Sequence, residues 1–359
     1  MNKNKVGALA SCALLALGVA ACDKSSSSTT ASSSSSATIS GAGSTFAAPV
    51  YQQWGSSSGM TVNYQPVGSG AGITAVEGKT VDFGASDPPL KPADIATLEK
   101  VGPVQQLPMF LGAITVSYNL PGVQSGLKLD AKTIADIYLG KVKAWDDAEI
   151  KALNPVVSLP STAITVVHRS DSSGTTAGFT GFLDAADPEW AGKVGEGKDV
   201  QWPTGTGAKG NAGVAGAVQQ TTGAVGYVEQ AYALQHKFTY ASVKNESGAY
   251  VAPSLESTSA AADGVEVPAN LGFKIKKPSS PKAYPITSQT FIVVYKDMCK
   301  AGIPGGEAAA KGVVAFLNYG LGSGQSILAE ADYAALPTEI LEKSKAAVKE
   351  LQCNGAAIG

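Results

Sequence analysis

Residues 163–183 read Ala163-Ile164-Thr165-Val166-Val167-His168-Arg169-Ser170-Asp171-Ser172-Ser173-Gly174-Thr175-Thr176-Ala177-Gly178-Phe179-Thr180-Gly181-Phe182-Leu183. The β-branched run 163–167 predicts a strand. From Thr176 to Leu183 the spacing predicts a helix, with Phe179, Phe182 and Leu183 at i, i+3 and i+4 on one face. Between them lies a loop of hydroxyls and glycine that carries one arginine. The unit is strand, polar loop, helix.

Working outward, the same order recurs. Residues 61–67 (Thr-Val-Asn-Tyr-Gln-Pro-Val) predict a strand, and Gly72-Ile73-Thr74-Ala75-Val76 begins a helix after a glycine turn. Val81-Asp82-Phe83-Gly84-Ala85 is another short strand. Asp130 can cap a helix that buries Ile134, Ile137 and Tyr138 and ends at Gly140. Alternation of this kind implies an α/β fold with open, largely parallel sheets, whose ligands sit at strand carboxyl ends against helix N-termini. The chain has 359 residues, of which more than 300 lie beyond a leader, so two domains are expected.

The leader is residues 1–21: Lys3 and Lys5 precede a short apolar run ending Val19-Ala20-Ala21 before Cys22. The run is shorter than the roughly 20 apolar residues of a membrane span and reads as a secretory signal. Val19-Ala20-Ala21-Cys22 resembles a bacterial lipobox, which makes Cys22 the lipidated mature N-terminus, held by acyl chains such as palmitate. Residues 22–38 form a flexible tether, since from Ser25 to Thr38 only Ser, Thr and Ala occur and such a stretch buries too little apolar area to offset chain entropy. Cys12 leaves with the signal, so Cys299 and Cys353 remain, either as one disulfide or as two free thiols.

Composition narrows the function. With 44% hydrophobic and 16% charged residues the chain is a globular protein. Its 27 Lys+Arg against 29 Asp+Glu leave no basic surface for nucleic acid, and loss of Lys3 and Lys5 takes the mature chain to a formal −4. Four loops share small, hydroxyl and glycine residues where a strand gives way to a helix: Gly41-Ala42-Gly43-Ser44-Thr45-Phe46, Gly68-Ser69-Gly70-Ala71-Gly72, Gly84-Ala85-Ser86-Asp87-Pro88, and the Arg169 loop. Backbone N–H groups at a helix start, joined by hydroxyls, form an oxyanion cradle. None of the four matches the nucleotide spacings G-x-x-x-x-G-K-[ST] or G-x-G-x-x-G. A secreted phosphatase also needs phosphate donors, but the chain has two histidines, His168 and His236, and no H-E-x-x-H. Gly55-Ser56-Ser57-Ser58-Gly59 fits the nucleophile pattern G-x-S-x-G only formally, inside a polar stretch with no strand before it. Strand alternation turns His168 away from the Arg169 side.

Taken in order, these loops, with Tyr51-Gln52-Gln53-Trp54, Asp82-Phe83-Gly84-Ala85-Ser86-Asp87, Ile137-Tyr138-Leu139-Gly140, Trp145-Asp146-Asp147, Gly223–Glu229 and Tyr284-Pro285-Ile286-Thr287, closely resemble the phosphate-binding proteins of bacterial high-affinity phosphate ABC importers. The resemblance runs from Ile39 to about Pro337. It departs at Ala47, where a proline is usual, and in Lys209-Gly210-Asn211-Ala212, which lacks the usual acidic residue after the asparagine and lies outside the ligand positions.

The resemblance implies a two-lobed periplasmic-binding-protein fold of type II character, hinged, with the ligand between the lobes: lobe I at 39–110 and 286–359, lobe II at 111–285. It implies phosphate ligands at Thr45, Phe46 (by its backbone N–H), Ser69, Asp87, Arg169, Ser173, Gly174 and Thr175, the last three offering free backbone N–H groups at a helix start, with Asp171 supporting Arg169. It implies a monomeric, exported, non-enzymatic receptor without cofactor or metal. That receptor would be lipid-anchored outside the cytoplasmic membrane, facing periplasm or cell exterior, and would serve the permease subunits and ATPase of a phosphate transporter. Asp87 is the expected discriminator, because an acceptor-only carboxylate receives the O–H of phosphate and repels proton-free sulfate. The competing readings are a secreted phosphatase and a receptor for another oxyanion.

Overall fold

The computed structural model describes residues 38–359. The signal at 1–21, Cys22 and all of the tether except Thr38 lie outside the described residues. Fourteen strands occur among the described residues: β1 (Ile39–Gly43), β2 (Val62–Pro66), β3 (Phe83–Ser86), β4 (Val104–Tyr118), β5 (Lys128–Leu129), β6 (Thr165–Arg169), β7 (Thr206–Ala208), β8 (Ala224–Glu229), β9 (Thr239–Tyr240), β10 (Ser242–Lys244), β11 (Tyr250–Val251), β12 (Thr287–Tyr295), β13 (Gln352–Cys353) and β14 (Ala356–Ala357). Nine of them form one sheet in the order β2-β1-β3-β12-β4-β8-β6-β7, with β9 also on β4.

Two strands hold this sheet together. The first part of β4, Val104 to Ala113, pairs antiparallel with β12; from Ile114 onward β4 pairs antiparallel with β8. Parallel pairs are confined to the two wings, β1 with β2 and β3, and β6 with β7 and β8. The expectation of largely parallel sheets therefore holds for the wings and fails at the centre. β12 arrives from the distant C-terminal part of the chain, so no short βαβ crossover obliges it to run parallel. β4 and β12 run at the junction of the two wings.

Local readings shift by a few residues. The helix expected from Gly72 begins at Ser69, because Gly68, at φ 98°, turns the chain into it. The strand placed at 163–167 occupies Thr165–Arg169, and Ala163 instead makes a bridge to Ala144. Asp130 does cap the helix Ala131–Tyr138, accepting from the Thr133 N–H at 2.9 Å. Residues 55–58, read as a polar stretch, are the end of the helix Ala48–Ser58, which stops at Gly59 in the left-handed region. A serine inside a helix has none of the strand-to-helix strain that exposes a nucleophile.

Each wing closes on an aromatic cluster. Tyr51 packs edge to face with Phe83, Phe110 and Phe316, Trp54 packs edge to face with Phe110 and Phe316, and Trp54 Nε1 donates to the Gly324 carbonyl at 3.1 Å. On the other wing Phe179 stacks on Tyr227 with centroids 4.3 Å apart, flanked by Tyr138 and Trp202. Burying one such ring contributes about 1.5–3 kcal/mol, which anchors the helix that starts at Gly174. His168 stacks on Trp202, turned from the Arg169 side as alternation required.

Cys299 and Cys353 are joined as a disulfide, 54 residues apart, which settles the open choice between bond and thiols. Closing a loop of that length removes unfolded-chain entropy worth up to about 4 kcal/mol. Urea unfolding of the Cys299→Ser, Cys353→Ser double variant should accordingly show a lower midpoint than the oxidised protein, by an amount approaching that figure. An unchanged midpoint would mean that the bond stores as much strain as it removes entropy.

Candidate functional site

Asp87 follows β3 and lies 1% exposed at the wing junction. Its Oδ1 accepts from the Ser44 hydroxyl and from Thr290 Oγ1 at 2.9 Å; its Oδ2 accepts from Ser69 Oγ at 3.4 Å. Gln289 Nε2 donates to its backbone carbonyl at 2.8 Å. Burial pushes its carboxyl up to about 6, against the opposing pull of the Ser44 and Thr290 hydrogen bonds, the Arg169 charge and the Ser69 hydroxyl. No cation pairs with Asp87 among the described residues, so hydroxyls do the work of water at its carboxylate.

Across from it stands the Arg169 loop. Arg169 ends β6 with its side chain buried, and it forks onto Asp171: Nε donates to Oδ1 at 2.7 Å and Nη2 to Oδ2. The remaining nitrogen, Nη1, donates to Thr175 Oγ1 at 3.3 Å. Burial alone would raise the Asp171 carboxyl, yet the hydrogen bonds and charge of Arg169 hold it below the usual range. Asp171 also accepts the Gly210 N–H at 2.9 Å, which fixes the arginine in place.

The next residues start the helix Gly174–Ala186, with Ser173 as its cap accepting the Thr176 N–H at 3.0 Å. Gly174 approaches the opposite wing so closely that a Cβ there would fall 2.1 Å from Asp87 Oδ2 and 2.4 Å from Ser69 Oγ. Only glycine fits. The loops also touch directly, since the Gly70 N–H donates to the Ser172 carbonyl at 3.0 Å.

The donor inventory is unusual. The backbone N–H groups of Thr45, Phe46, Ser69, Gly174 and Thr175 find no protein acceptor among the described residues. All five residues are buried, and all sit at or just before a helix start: Ala48–Ser58, Ser69–Glu77 and Gly174–Ala186. Buried N–H groups are nearly always paired in folded proteins, so five converging orphans mark a place built for an acceptor.

Every residue singled out from the sequence at 45–46, 69, 87, 169, 171 and 173–175 is thus brought to this junction. One detail changes: the Ser173 N–H, expected as a free donor, goes to the Lys198 carbonyl at 3.0 Å, which leaves Ser173 its hydroxyl proton. Four residues were not singled out. Thr290 and Gln289 come from β12; Asn211, set outside the ligand positions, lies between Thr45 and Thr175; Glu229 is fully buried and accepts from Tyr333 at 2.8 Å. Tyr333 Oη also lies 2.6 Å from the Phe46 carbonyl, so its single proton is shared between that carbonyl and Glu229, and Tyr232 donates to the Thr45 carbonyl at 2.8 Å. Burial pushes the Glu229 carboxyl well above the usual range. Among the described residues no three His, Cys, Asp or Glu side chains are grouped to hold a metal.

Residues 28–321 match a family model described as a PBP superfamily domain. The phosphate-binding protein PstS of Haemophilus influenzae is 41% identical over 315 residues, covering 86% of this chain and 91% of the relative. The chain belongs to the phosphate-binding protein family of the PBP superfamily. Phosphate-binding protein PstS of Methanocaldococcus jannaschii is 36% identical over 322 residues, covering 83% and 82% of the two chains. Among solved structures, a phosphate-binding protein from Stenotrophomonas maltophilia superposes with a TM-score of 0.68 at 21% identity, over 86% of this chain and 93% of that one. A high affinity periplasmic phosphate-binding protein solved with phosphate gives 0.73 at 22%, with the same coverage. At those identities the superpositions speak to the fold, which is the two-lobed one of this family.

The buried Asp87 carboxylate has a measurable signature. A carboxyl at about 6 in the folded state against 3.8 in the unfolded chain binds its proton more firmly when folded. Its contribution to stability is therefore fully present below pH 4 and is lost as pH rises through 6, a change on the order of 3 kcal/mol. Urea unfolding of ligand-free protein at pH 4 and pH 7.5 should show this loss, and Asp87→Asn should lack that share of it. Parallel pH profiles for the two proteins would place Asp87 in an unperturbed environment.

Proposed function

We propose that this chain is an exported receptor that binds inorganic phosphate, selects it over sulfate, and hands it to the permease and ATPase of an ABC importer. The observation that carries the reading is the convergence of five buried, acceptor-less N–H groups and the Arg169 fork on a site that also holds the Asp87 carboxylate. The names of the relatives support it. The proposed ligands are Thr45, Phe46, Ser69, Asp87, Arg169, Ser173, Gly174 and Thr175, with Asp171 holding the arginine.

The chemistry follows from the donor count. Helix-start N–H groups and the hydroxyls of Ser69, Ser173 and Thr175 offer many partial charges, and Arg169 one full charge already shared with Asp171. Such a site neutralises an oxyanion locally, so the net −4 of the mature chain does not oppose binding and added salt changes it little. Ionised Asp87 accepts the O–H that phosphate keeps at neutral pH. Sulfate has no such proton, and its oxygen would face the carboxylate in like-charge contact with a hydrogen bond unmade.

The lobes are proposed as 39–110 with 286–359 and 111–285, a division supported by the change of β4 partners at Ile114. Closure would bring the Asp87 and Arg169 sides together over the ion. Cys22 is proposed to carry the lipid that holds a monomeric receptor outside the cytoplasmic membrane within reach of the permease. No enzymatic step is assigned.

Isothermal titration of the chain from Asp23 onward, unfolded and refolded to strip carried-over ligand, tests the reading. It should give one phosphate per chain and no sulfate binding. Arg169→Ala and Thr175→Ala should each weaken phosphate binding, by about tenfold or more for a charge-assisted bond. Asp87→Asn should admit sulfate. Selectivity in the parent protein should also decline below pH 6 as Asp87 takes up its proton. A folded, stripped protein that gives no heat with phosphate would turn attention to another oxyanion.

A further inference from the structure

Asn211 begins the helix Gly210–Gln220 and is fully buried, yet nothing in the proposed ligand set includes it. Its amide nitrogen donates twice, across the junction to Thr45 Oγ1 at 2.9 Å and within its own wing to Thr175 Oγ1 at 3.1 Å. Its backbone N–H donates to Thr45 Oγ1 as well, at 3.2 Å. The orientation of the amide is not ambiguous: the Glu229 N–H, which can only donate, meets the other amide atom at 3.0 Å, so that atom is the oxygen.

A threonine hydroxyl has one proton to give and two lone pairs to receive. Thr45 Oγ1 receives two bonds, both from Asn211. Thr175 Oγ1 receives two, from Asn211 and from Arg169 Nη1. With both lone pairs of each oxygen occupied, each hydroxyl can act only as a donor, and no acceptor for either proton is present among the described residues.

We infer that Asn211 is a positioning residue that turns the Thr45 and Thr175 hydroxyls into obligate donors, so that only an unprotonated oxygen of the bound anion can lie against them. The inference rests on the phosphate reading above and sharpens it. If the oxygens at this end must be bare, the ligand's O–H is directed to the one acceptor facing it, Asp87. Selectivity then comes from two ends of the site, a donor end set by Asn211 and an acceptor end set by Asp87. The two threonines come from opposite wings, so the donor end is complete only when the wings meet.

The test compares Asn211→Asp with Asn211→Ala by phosphate titration, with thermal melts on each. An aspartate keeps the shape but offers oxygens where the amide offered protons, and both hydroxyls would turn to donate to it. Asn211→Asp should therefore lose about a hundredfold or more in affinity, and Asn211→Ala about tenfold. A residue that only packs predicts the reverse order, because aspartate preserves volume and alanine does not. In a Thr45→Val, Thr175→Val background, Asn211→Ala should change affinity less than about twofold, since the hydroxyls it orients are gone. Asn211→Asp binding phosphate as well as Asn211→Ala, or the alanine variant losing as much in the valine background as in the parent, would overturn the inference. Phosphate affinity unchanged by Thr45→Val and Thr175→Val themselves would instead overturn the ligand assignment on which it rests. If the alanine variant does not fold, Asn211→Asp against the parent decides, with parental affinity as the contradicting result.

Discussion

A carboxylate removed from water and given no cation in contact must be solvated by the protein itself, and the surroundings of Asp87 are arranged around that requirement. Ser44 follows β1, Ser69 begins the helix Ser69–Glu77, and Thr290 comes from a strand some 200 residues away in sequence. None of these donors compensates the burial fully, as the upward displacement of the carboxyl to about 6 records. The group stays ionised at neutral pH but is held as a strong acceptor, which is the property needed to take a proton-bearing oxygen and refuse a bare one.

Placing that acceptor opposite a buried arginine sets the fold's second constraint. Arg169 and Asp87 belong to different wings of one sheet, and the wings are joined through β4 and β12. The junction is lined with pairs that span it: Tyr333 with Glu229, Tyr232 with the Thr45 carbonyl, Asn211 with Thr45, and the Gly70 N–H with Ser172. Apart from Glu229 these are hydroxyl, amide and backbone groups without charge, so their meeting across the junction costs little desolvation of charge. One ion pair, Lys198 Nζ with Asp94 Oδ2 at 3.6 Å, also spans the junction. The closed form is favoured when the orphan N–H groups gain an acceptor.

Much of this was legible in the sequence, and the exceptions have physical causes. The strand, loop and helix around Arg169 were readable because loop polarity and helical spacing are local properties, and the Phe179 and Leu183 face follows directly. β4 and β12 were not read as strands. Both are buried on both faces, so neither alternates, and Pro108 and Gly112 interrupt the first. Thr290, Asn211 and Tyr333 escaped notice because their partners lie between 36 and 287 residues away, and no local pattern encodes such pairs. Glu229 left a usable signal, an acid closing an otherwise apolar run, Ala224-Val225-Gly226-Tyr227-Val228. Ser173 misled in one respect, since a helix-start N–H was counted as free and a distant carbonyl, that of Lys198, takes it.

The central claim is that Asp87 takes up the ligand's proton as a hydrogen bond, and a crystal structure of the refolded protein grown with phosphate at neutral pH tests it most directly. The account predicts one phosphate oxygen in short contact with an Asp87 carboxylate oxygen, at about 2.5–2.7 Å, the range of an O–H donated to an anion. The other oxygens should lie against the five orphan N–H groups and the Thr45 and Thr175 hydroxyls. Phosphate bound with no oxygen within hydrogen-bond reach of Asp87 would contradict it.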